Sequence, residues 1–209
     1  MKNRRKLLTS LAVALPSLAV AGVSAGTVLG KNSGFKECPR GITGPTAYRF
    51  PQTIVTDQNK QKAWFYEELI HEKLVLVNFT SVKGERHYPI VKNMVKVQKM
   101  IGDRLGKDVF MYTISTDPHH DTPESLKELA DSHGAKWQFL TGSPEDIRGI
   151  LNGFGIRGTI NGLSWLGNER TGRWMTKASR QHPLYIAEGV ARLSTGKHFK
   201  PFLVDMHSV

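Results

Sequence analysis

A single cysteine, Cys38, sets the first limit on what this 209-residue chain can do. One thiol forms no intramolecular disulfide and runs no dithiol exchange. Cys38-Pro39 also lies in Lys31 to Pro45, a stretch containing glycine, lysine and proline that reads as a linker, so the thiol is either an intermolecular one or incidental. A glycine-rich phosphate loop is missing, and no order of Ser, His and Asp suggests a hydrolase. Dense basic runs interleaved with aromatics are missing past the first residues, which argues against a nucleic-acid surface. Net charge is +11, but four of the 29 basic residues and none of the 18 acidic ones fall in residues 1–25, so the remainder carries +7. That moderate surplus leaves an acidic protein partner or membrane headgroups open. Trp64, Trp137, Trp165 and Trp174 read as core or edge packing rather than as a ligand box.

The beginning of the chain is distinctive. Met1 to Lys6 is basic, and Leu7 to Leu29 is an apolar run without a charge, the pattern of an export signal. Arg4-Arg5-Lys6-Leu7-Leu8 resembles a twin-arginine signal, and Val23-Ser24-Ala25 offers small residues for cleavage before Gly26. The alternative is a retained membrane anchor, against which Pro16 and the glycines weigh. The expected organisation is an export signal over 1–25, a linker over 26–47, one folded domain over 48–193 and a tail over 194–209, with the protein exported to the periplasm or an equivalent space.

Within the domain, β-prone runs at Gln52 to Thr56 and Lys62 to Tyr66 flank Asp57-Gln58-Asn59-Lys60 and predict a hairpin. Lys73 to Phe79 and Val109 to Ser115 are near-continuous apolar runs, as expected of strands covered on both faces. Between them a polar loop, Thr80 to Tyr88, precedes Ile90, Met94, Val97, Ile101 and Leu105, whose spacing predicts a helix with one buried stripe. Thr122-Pro123-Glu124 and Ser143-Pro144-Glu145 are helix starts, opening helices to about His133 and Leu151. Trp137 to Leu140 reads as a strand, Leu163 to Leu166 with Arg173 to Thr176 as a hairpin, and Pro183 to Leu193 as a closing helix. This order predicts an α/β domain with a parallel βαβ core, antiparallel additions and a thioredoxin-like fold.

Specific words of the sequence resemble the Sco/SenC family of copper chaperones and cytochrome c oxidase assembly proteins. They are Phe50-Pro51, Phe65 to Ile70, Leu74 to Phe79, Val97 to Arg104, Asp108 to Ser115 and Asp117-Pro118-His119-His120-Asp121-Thr122-Pro123, followed by Phe139 to Gly142 and Gly167-Asn168-Glu169. The resemblance runs from about Phe50 to Trp174 and implies copper handling and an oxidase subunit or assembly factor as partner. Family members hold copper with Cys-x-x-x-Cys-Pro after the first core strand and a distal histidine, because thiolates suit Cu(I) and imidazole admits Cu(II). Aligned on Pro89, the cysteine positions are Gly84 and Tyr88; a one-residue shift gives Lys83 and His87. The distal histidine falls at about Ile160 or Asn161. None of these is the family's ligand, so no cofactor, copper binding or thiol oxidoreductase activity is expected at the family positions. Peroxidase activity is excluded with them, for want of an attacking thiolate after the strand.

A substitute site is the alternative. The loops after parallel strands gather at the carboxyl edge of the sheet, where Thr80 to Tyr88, Asp117 to His120 and the stretch from Thr159 to Leu163 should meet. His87, His119 and His120 would share that edge with Asp117 and Glu85, a donor set suited to Zn(II), Cu(II) or Ni(II). The plainer reading has the histidines exposed, Asp117 closing a turn with Pro118, and Asp121-Thr122-Pro123 capping a helix. Met94, Met175 and Met206 are the thioether alternative, although Met94 lies on the apolar stripe. Three functions follow: a non-redox binding or assembly module, a metal carrier using histidine or methionine, or an enzyme only if Cys38 reacts with a partner thiol.

Overall fold

The computed structural model describes residues 43–158 and 162–195. The expected signal, Cys38 with nearly all of the linker, Ile160, Asn161 and the tail beyond Thr195, Met206 included, lie outside the described residues. After a 3-10 turn at Ala47–Arg49, β1 (Ile54–Asp57) and β2 (Lys62–Trp64) form the expected hairpin. Asp57 closes it, its Oδ1 accepting from the Asn59 and Gln61 N–H groups, while Lys60 takes φ 63°. The second strand is shorter than its β-prone run. Phe65–Ile70 forms a π-helical turn instead, burying Phe65, Tyr66, Leu69 and Ile70, and Glu68 accepts the Trp64 N–H at the point where the strand stops.

The apolar runs become the central strands. β3 (Leu74–Thr80) is buried at every residue and lies between a parallel and an antiparallel neighbour. The loop expected after it is in part a helix, α1 (Val82–His87). Six residues with a glycine carry no apolar stripe, so periodicity could not reveal it; Ser81 starts it by accepting the Gly84 N–H. The amphipathic helix follows as α2 (Val91–Ile101), ending before the expected Leu105 because Gly102 turns the chain out at φ 61°. β4 (Val109–Ser115) pairs parallel with β3 from Leu74↔Val109 to Thr80↔Ser115.

α3 (Pro123–His133) begins where its cap predicts, with Thr122 and Ser125 exchanging side-chain and backbone hydrogen bonds. β5 (Gln138–Thr141) and α4 (Pro144–Gly153) follow, the latter capped by Ser143. β6 (Leu163–Asn168) and β7 (Arg173–Ala178) make a longer hairpin than expected, with Gly167 and Asn168 in the strand. α5 (Pro183–Ser194) closes the domain. The seven strands run in the order β2-β1-β5-β4-β3-β6-β7.

Side-chain alternation along β3 sorts the core into two layers. Val75, Val77 and Phe79 pack with the π-helical turn and with Ile147, Ile150 and Leu151 of α4. Leu74 and Leu76 pack on the other face with Met94 and Val97 of α2, Leu126 of α3 and Ile186 of α5. Each such side chain contributes about 1.5–3 kcal/mol on full burial. Met94, 0% exposed, is therefore a core residue and not a free thioether. Among the described residues no helix is long and apolar enough to cross a membrane.

Candidate functional site

The parallel strands deliver their ends to one edge. β3 ends at Thr80, β4 at Ser115 and β5 at Thr141, while antiparallel β6 begins beside the end of β3. Two buried carboxylates organise this edge. Asp121, 4% exposed, accepts from Ser115 Oγ at 2.6 Å and from the Val82 N–H at 3.2 and 3.3 Å, and Thr141 Oγ1 donates to its carbonyl at 3.1 Å. It joins the end of β4 to the first turn of α1, where a negative charge is favoured by the helix dipole. Capping of α3 falls to Thr122, so Asp121 does a different job from its neighbours in the motif.

Glu85, 5% exposed, accepts from the Ile90 and Val91 N–H groups through Oε1 at 2.8 and 2.7 Å, and from Thr80 Oγ1 through Oε2 at 3.2 Å. Burial raises the carboxyl pKa of both residues above the ordinary range, outweighing the hydrogen bonds that lower it. The sequence offered Glu85 as an oxygen partner for the histidines; its carboxylate instead faces Thr80 and the Ile90 and Val91 N–H groups. Asp121 gave a signal of its own, standing before the N-cap rather than on it.

The positions to which the resemblance assigns the family's cysteines, Gly84 and Tyr88, are both in this region, as is the shifted pair Lys83 and His87. Gly84 lies in the first turn of α1, its N–H taken by Ser81, and a Cβ there would stand 2.8 Å from Ser81 Oγ. Tyr88 follows α1, its ring under the Arg180 guanidinium at 4.9 Å. Its hydroxyl lies so close to Gly162 that a Cβ added to the glycine would stand 2.8 Å from it. Tyr88 thus occupies the space between the end of α1 and the start of β6. A backbone methylene and a packed phenol offer no soft donor, so the residues present do not fit a Cu(I) centre at these positions.

His87 ends α1 and is exposed. His119 and His120 are exposed in the β4–α3 loop, where His120 Nδ1 meets Asp117 Oδ1 at 2.8 Å. The Asp117 carbonyl accepts from the His120 and Asp121 N–H groups, which makes Asp117 a turn-closing residue. Among the described residues no group of three or more His, Cys, Asp or Glu side chains is placed to hold a metal ion, so His87, His119 and His120 are not gathered into one centre.

Comparison with known proteins confirms the resemblance read from the motifs. The SCO1/SenC family model matches residues 70–165. The fold is that of a SCO1/SenC family lipoprotein from Bacillus anthracis, at 21% identity and TM-score 0.58 over 69% of this chain and 94% of that one. Bradyrhizobium japonicum ScoI, solved with copper bound, is 21% identical with TM-score 0.56 over 67% of this chain and 96% of its own. BsSco, described as a Sco-family cytochrome c oxidase assembly protein with a disulfide switch, is 23% identical with TM-score 0.58 over 69% and 92%. Among curated proteins no match was found.

Proposed function

We propose, taking residues 70–165 as SCO1/SenC sequence carried on the Sco fold, that this chain is an exported protein of respiratory-oxidase assembly that acts by binding a protein partner, without copper or thiol chemistry at the family's site. One observation carries the reading: Gly84 and Tyr88 stand where the resemblance places cysteines, and the lone thiol, Cys38, precedes the matched stretch. Cu(I) transfer and disulfide exchange both need thiolates, and neither position supplies one. What persists is the scaffold that would present the α1 edge to an oxidase subunit or another assembly factor. The basic start and the apolar run behind it support export, either with the signal removed or with it kept as an anchor.

Deleting the gene and assaying cytochrome oxidase in membranes tests this reading. Activity should fall, should not return on adding copper, and should return with either the wild-type chain or Cys38→Ser. Unchanged oxidase activity overturns the reading. Recovery of the exported chain with a stoichiometric transition metal would instead favour the carrier alternative through His87, His119 and His120.

A further inference from the structure

A groove of about 650 Å³ opens at the amino edge of the parallel strands, the edge opposite α1 and Tyr88. The seven residues of β4 separate the two edges by roughly 20 Å. The groove exists because β4 and β5 begin to pair only at Tyr112↔Gln138. Phe110 and Met111 on one side, and Lys136 and Trp137 on the other, are left apart with open space between them. Gly102 and Gly106, at φ 61° and 79°, carry the chain from α2 around the mouth. The volume falls within the roughly 300–1,000 Å³ of small-molecule sites.

Its polar groups divide into those already committed and those left over. Gln98 accepts from the Lys136 N–H and donates to the Gly134 carbonyl, and Trp137 Nε1 donates to Thr113 Oγ1, so both are fixed as wall. Tyr112, 1% exposed, packs its side chain in the layer with Val75, Val77 and Phe79 and is likewise committed. Lys99, Lys107 and Lys136 line the mouth against one carboxylate, Asp103, and none of the three lysines is in an ion pair among the described residues. The groups left over are nearly all donors, and the surfaces between them, Leu105, Phe110, Met111 and Trp137, are apolar.

We propose that this groove binds a small organic anion, its acidic head held by the three lysines and its apolar body lying along Phe110, Met111 and Trp137. The site shares no residue with the α1 edge and stands independently of the oxidase-assembly reading. Titrating the isotope-labelled full-length chain with 2-naphthoate, decanoate and the neutral 2-naphthamide tests it by amide chemical shifts. Either anion should move resonances within 98–112 and 136–138, and the stronger binder tells an aromatic body from an aliphatic one. The neutral amide and the triple variant Lys99→Gln/Lys107→Gln/Lys136→Gln should each weaken binding about tenfold, as the loss of several partly exposed charge contacts implies. Shifts that are absent with both anions, that map to another surface, or that persist unchanged in a folded triple variant overturn the proposal.

Discussion

At Glu85, desolvation and hydrogen bonding act in opposite directions on one carboxyl, and desolvation wins. The folded-state pKa is therefore above the ordinary carboxyl value, and only between the two values does the native state hold a proton that the unfolded chain has released. Stability from this group is full below the unfolded value and is lost as pH rises through the raised one. Glu85→Gln keeps an oxygen for the Ile90 and Val91 N–H groups and can donate to Thr80, so it removes the titration while retaining the contacts. Urea titrations at several pH values should find the variant more stable than wild type near neutrality, with the gain vanishing below the ordinary Glu range. A constant difference at all pH values refutes the assignment. Glu169 is the acceptor at the centre of another buried network: 1% exposed, it accepts from Thr46 N–H, Thr46 Oγ1, Tyr66 Oη and Trp174 Nε1. Glu169→Ala leaves those donors without an acceptor and should cost about 3 kcal/mol, read from the urea midpoint.

Elements were legible where one residue type repeats with a period. Lys73 to Phe79 and Val109 to Ser115 announced buried strands by uninterrupted apolar character, and Thr122-Pro123 and Ser143-Pro144 announced helix starts through caps whose hydrogen bonds form as expected. α1 was not legible, because a six-residue helix is held by its ends and by Glu85 rather than by a stripe. Nor was the separate work of Asp121 and Thr122, since adjacent residues of one motif point to different elements. That separation is testable. Thr122→Ala should cost about 1 kcal/mol, the loss of a cap, with its effect confined to the start of α3. Asp121→Ala removes the acceptor for Ser115 and the Val82 N–H and should cost about 2–3 kcal/mol. Hydrogen exchange separates the two: amides of Val82 to Tyr88 should exchange faster in Asp121→Ala and stay at the wild-type rate in Thr122→Ala.

For the whole molecule, fold and chemistry come apart. The fold rests on two apolar layers spread over some 150 residues, which many side chains specify jointly, so divergence at a few positions leaves it standing. Copper chemistry rests on a handful of ligands, so changes at those few positions would alter it without disturbing the sheet. Returning thiols to this scaffold isolates that difference. Residues 84 and 88 are joined across the last turn of α1 by the Tyr88 N–H donating to the Gly84 carbonyl at 2.8 Å, which brings the two positions near enough for thiolates there to share one Cu(I). Gly84→Cys crowds Ser81 Oγ and weakens the α1 cap, while Tyr88→Cys removes the ring beneath Arg180; each costs about 1 kcal/mol, too little to unfold a domain of this size. Under anaerobic dialysis against a competing chelator, the wild-type chain should retain no Cu(I), and the double cysteine variant should retain close to one ion per chain. Stoichiometric Cu(I) on the wild type would mean that donors away from residues 84 and 88 do the work assigned by resemblance to those two positions.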